Sequence, residues 1–84
     1  MITFEKDSVR VEDHKDLESV LQHLKDFSML CINEASKVFT GDANIPLTGG
    51  RVAITLFKQK LVLQDEFMAW EFDPERGWNL LGMI

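Results

Sequence analysis

The chain has a single cysteine, few basic residues, and no apolar run approaching the ~20 residues of a membrane span. Each scarcity excludes something. With only Cys31, no intrachain disulfide can form. Cys31 falls among apolar residues, so it reads as a small buried hydrophobe in a reducing compartment. The stretch "MITFEKDSVRVED" lacks the basic start and long apolar core of a secretory leader. A cytoplasmic protein that does not span a membrane is expected.

Nine basic residues stand against 14 acidic ones, a net charge of −5. Binding to a phosphate backbone needs a concentrated basic face. The densest basic group is Arg51, Lys58 and Lys60, so no nucleic-acid partner is expected. Motifs of enzymes are missing too. No serine sits in a G-x-S-x-G elbow. "LTGGR" places Gly49 and Gly50 before a strand, whereas a phosphate loop opens a helix with Lys and Ser or Thr. His23 precedes Cys31 by eight residues, about 12 Å along a helix and too far for a hydrogen bond. His14 with Glu18, and His23 with Asp26, share helix faces, but two ligands do not close a metal site. Glu71 and Asp73 share a strand face with nothing to desolvate them. No catalytic residue, metal or cofactor is therefore expected, and the protein is predicted not to be an enzyme.

What is present is an ordinary globular composition, 45% apolar and 27% charged, in 84 residues. That suits one domain over 1–84. "ITFEKDSVRVE" alternates in two short runs and predicts an N-terminal hairpin turning at Asp7-Ser8. From His14 to about residue 39 the apolar spacing is helical, with Asp13 as N-cap and Gly41 as terminator. One unbroken helix would run about 39 Å, too long for so small a domain. The apolar stretch "FSMLCI" therefore marks a break near Ser28, a segment covered by another chain, or a strand over 28–32; helix is favoured. Residues 51–84 predict a four-stranded antiparallel meander turning at Lys58-Gln59, Gln64-Asp65-Glu66 and "PERG". The fold class is α+β.

"DPERGW" has strong turn chemistry: proline presets the first turn residue and glycine accepts a positive φ. A four-residue loop Pro74–Gly77 sets Asp73 opposite Trp78, Phe72 opposite Asn79, Trp70 opposite Leu81 and Met68 opposite Met83. Glu71 then pairs with Leu80, Ala69 with Gly82, and Phe67 with Ile84. Trp70 falls on a core face with Met68 and Phe72. Trp78 falls on the other, with Phe67 and Leu80, edged by Glu71 and Asp73. A change of one residue in the loop inverts these faces. One helix covers one face, so the second face needs a cover: curling N-terminal strands or another chain.

Two functions follow as expectations. The first is a protein-interaction module of inhibitor, immunity-type or regulatory kind, a homodimer or a binder of another protein, using Trp78, Leu80, Phe67, Arg76 and Glu71. The alternative is a small-ligand binder with a cleft between helix and curved sheet, lined by Trp70, Phe72, Met68 and Phe27.

Overall fold

The computed structural model describes residues 2–24, 27–45 and 52–83. Strands β1 (Ile2–Phe4) and β2 (Ser8–Val11) form the N-terminal hairpin. Helix α1 (His14–Val20), a 3-10 turn (Leu21–His23) and helix α2 (Met29–Thr40) follow. Strands β3 (Ala53–Phe57), β4 (Leu61–Gln64), β5 (Met68–Asp73) and β6 (Gly77–Met83) complete the chain as a meander. The class is α+β, as the sequence predicts.

The helical region is broken, and the reason is geometric. The molecule measures 30 × 28 × 24 Å, shorter than the about 39 Å of an unbroken helix. Asp13 caps α1 by accepting a hydrogen bond from the Asp16 amide at 2.9 Å. The chain then tightens through the 3-10 turn and resumes at Ser28, the N-cap residue of α2. The Ser28 amide donates to the Lys58 carbonyl in the β3–β4 turn, so the break is tied to the sheet. Gly41, at φ 83°, ends α2 one residue beyond Thr40. Residues 28–32 form no strand.

All six strands make one antiparallel sheet in chain order, β1-β2-β3-β4-β5-β6. The helices lie between β2 and β3 in sequence, yet those strands pair directly, Val9 with Leu56 and Val11 with Ile54. The N-terminal hairpin therefore extends the sheet and does not fold over its second face. Antiparallel partners point to the same side. Val9, Val11, Ile54, Leu56, Leu61, Leu63 and Trp70 fall on one side, all buried. Leu17, Val20, Leu24, Cys31, Ile32, Ala35 and Val38 from the helical layer complete that core.

The opposite side carries a row across the whole sheet: Thr3, Arg10, Thr55, Val62, Glu71 and Asn79. Lys60 pairs with Glu71 at 3.1 Å, and Arg10 reaches Gln64 at 3.4 Å. This face is mixed and mostly polar. A second large apolar face, which the sequence predicted, is not what β-pairing produces; the cause lies in β6.

Candidate functional site

The hairpin of β5 and β6 closes differently from its predicted register. Asp73 pairs with Gly77, Phe72 with Trp78, Glu71 with Asn79 and Trp70 with Leu80. Three residues, Pro74 to Arg76, lie between the closing pair. The Arg76 amide donates to the Asp73 carbonyl, and the Asp73 carboxylate accepts from the Glu75 amide at 2.8 Å. Gly77 takes φ 82°, a left-handed value that tightens the return. Further along, Ala69 pairs with Gly82 and Met68 with Met83, in agreement with the predicted register. The shift between the two halves lies at Ala69/Trp70, so Leu81 is an extra residue with no partner of its own on β5.

That shift moves Trp78 to the helix side. Its ring lies 5.2 Å from that of Phe72, tilted by 55°. Its Nε1 donates to Glu34 Oε2 on α2 at 2.9 Å, and Glu34 also pairs with Lys37 at 3.2 Å. Trp70, Phe72 and Trp78 thus share one side of the sheet, and α2 reaches over Trp78. The placement of Trp78 and Leu80 on the opposite face is corrected by the shorter turn. Glycine within an edge strand often marks a bulge, so Gly82 carried the signal that sequence reading passed over. Glu34 carried none, because its partner lies 44 residues away.

The predicted partner-binding residues separate. Leu80 is 58% exposed; beside it Leu81 is 55% and Met83 79% exposed. Phe67, 52% exposed, lies in the turn before β5, next to Met68, which pairs with Met83. Its predicted partner Ile84 lies outside the described residues. Trp78 is half-buried. Arg76 is exposed in the turn, and Glu71 sits on the outer face against Lys60. Strand β6, GWNLLGM, contains no charged residue and no proline, and no strand pairs with its far side among the described residues.

The predicted ligand-lining residues all belong to the core or its edge among the described residues. Trp70 is core, and Met68, Phe72 and Phe27 pack against that core from its margins. Phe27 lines an open depression of about 580 Å³ beside the β1–β2 turn, with Phe4, Lys6, Val9 and His23. A polar depression of about 410 Å³ lies between Ser28, Gln59, Lys60 and the Asp73–Glu75 turn.

The remaining candidates for chemistry have ordinary surroundings. His14 approaches Glu18 at 3.8 Å and stacks on Phe39 with ring centroids 6.1 Å apart. Asp26, the proposed companion of His23, lies outside the described residues, as do Gly49, Gly50 and Arg51. Among the described residues no three His, Cys, Asp or Glu side chains gather to hold a metal. Cys31 is fully buried. Burial pushes its thiol above the ordinary value of 9.0; a hydrogen bond with the Ser28 side chain pulls the other way, and the charges of Asp73 and Glu34 add to the rise. A thiol so held is a poor nucleophile at neutral pH. No helix among the described residues is long and apolar enough to cross a membrane.

Comparison with protein-family models, with curated proteins and with solved structures returns no match.

Proposed function

We propose that this chain is a non-enzymatic protein-interaction module of inhibitor, immunity-type or regulatory kind, which docks a protein against the β6 edge of its sheet. The simplest partner is a second copy. The observation that carries this reading is the run of exposed apolar side chains, Leu80, Leu81 and Met83, on an uncharged strand that no strand pairs on its outer side among the described residues. Edge strands in monomers are commonly blunted by charge, proline or brevity. Strand β6 has seven residues and neither charge nor proline; its irregularities are left-handed Gly77 at its start and the bulge at Leu81. Phe67 lies in the turn before β5, beside Met68, the partner of Met83.

Sedimentation velocity over a range of concentrations tests the reading. The wild type is expected to sediment above its monomer mass of 9.7 kDa as concentration rises, and Leu80→Lys to restore the monomer with its circular dichroism unchanged. A wild type that stays monomeric, or a Leu80→Lys variant that associates equally well, would contradict it.

A further inference from the structure

Resting on the reading of β6 as a docking surface, we propose a specific geometry for it: β6 pairs antiparallel with β6 of a second copy, about a two-fold axis at Asn79, so that two six-stranded sheets become one. The two edges of the sheet are unlike. Strand β1 has three residues and runs directly into Glu5, Lys6 and Asp7, a short edge followed by charge. Strand β6 is the longest strand and the apolar one. A β1-to-β6 contact would also be head-to-tail and propagate, whereas β6 against itself closes at two copies.

The register follows from where β6 is regular. Left-handed Gly77 bounds it on one side and the bulge at Leu81 on the other. Between them stand Trp78, Asn79 and Leu80, whose centre is Asn79. A two-fold axis there sets Trp78 against Leu80 of the second copy on the helix side, an aromatic–aliphatic cross-strand pair. On the outer side it sets Asn79 against itself, and an amide both donates and accepts. Gly77 then faces Leu81 of the second copy, so the residue without a side chain meets the bulged one. No charged residue of one β6 meets a charge of the other, because the strand has none. Glu71, the outer-face neighbour of Asn79, is already matched by Lys60. The sequence of β6 therefore complements itself in size, polarity and charge.

Cysteine cross-linking tests the geometry apart from the association. In a Cys31→Ala background, Asn79→Cys is oxidised mildly at a concentration where the parent associates by sedimentation, with Thr55→Cys on the outer face of β3 as comparison. The same pair in the Cys31 parent gives the same reading should Cys31→Ala weaken the fold, because that thiol is buried. Paired strands bring opposite Cα atoms to about 4.5–5.5 Å, within disulfide reach. Asn79→Cys is expected to give about tenfold more covalent dimer than Thr55→Cys. Association in solution with no preference for position 79 would overturn the edge pairing while leaving self-association standing. A monomer at every concentration would overturn both.

Discussion

Trp78 carries two interactions that a phenylalanine would separate. Trp78→Phe keeps a ring against Phe72 and removes the N–H that reaches Glu34. A hydrogen bond to a charged group is worth about 1.5–3 kcal/mol. The variant is expected to lose about 1–2 kcal/mol in urea unfolding, since Trp78 is only half-buried. Glu34→Gln, which keeps an acceptor, is expected to lose less. Equal stability of wild type and Trp78→Phe would mean that the bond holds nothing. Cys31 gives a second test. Its pKa is raised in the folded chain, so the folded state holds the proton more tightly than the unfolded one. The contribution is complete below the ordinary value of 9.0 and is lost as pH rises through the higher folded value. The stability advantage of wild type over Cys31→Ala is therefore expected to shrink above pH 9.0. A difference that stays constant across that range would contradict the burial account. At this scale sequence reading was strongest where a residue acts locally. Asp13 and Gly41 each have a cause within a few positions of themselves, and Cys31 falls on the apolar spacing of its own helix.

At the scale of elements, the hairpin of β5 and β6 shows both what alternation can read and where it fails. Strand positions followed from periodicity, and the far end of the register, Met68 with Met83, was legible. The turn end was not, because a three-residue loop and a four-residue loop share the same Pro and Gly chemistry. A second irregularity at Leu81 then restored the register, so one end agreed while the faces near the turn exchanged. The left-handed Gly77 is what the shorter loop requires. Gly77→Ala meets no atom within 4 Å but must adopt φ 82°. It is expected to cost about 1–2 kcal/mol with no change in the core, measured by thermal unfolding. A neutral effect would mean that the turn relaxes without its left-handed residue. The helical break was legible from length alone, since an unbroken helix outruns the domain. Its position was legible from the fading periodicity of "FSMLCI". Its anchor was not, because the Ser28–Lys58 bond joins segments 30 residues apart in sequence.

At the scale of the whole molecule, the α+β architecture was readable and the way the sheet is finished was not. Local patterns place two N-terminal strands but do not say that β2 joins β3 across the helical layer. That long-range pairing makes one six-stranded sheet and leaves β6 as an edge. The surplus of apolar residues that sequence reading assigned to a second face belongs instead to the helix side and to that edge. Two copies would bring together net charges of −5 each, so their long-range repulsion opposes association. Raising ionic strength from about 0.05 to about 0.5 M is therefore expected to strengthen self-association, because the Debye length falls from about 14 Å to about 4 Å. Weakening with added salt would point to an interface held by charges, which β6 does not contain.

The most direct measurement is amide hydrogen exchange at two protein concentrations. Burial of the β6 edge predicts that those amides of Trp78 to Leu81 that point away from β5 exchange more slowly in the concentrated sample, while those of β1 do not change. Exchange in β6 that is independent of concentration, or protection that appears on β1 or the outer face instead, would contradict it.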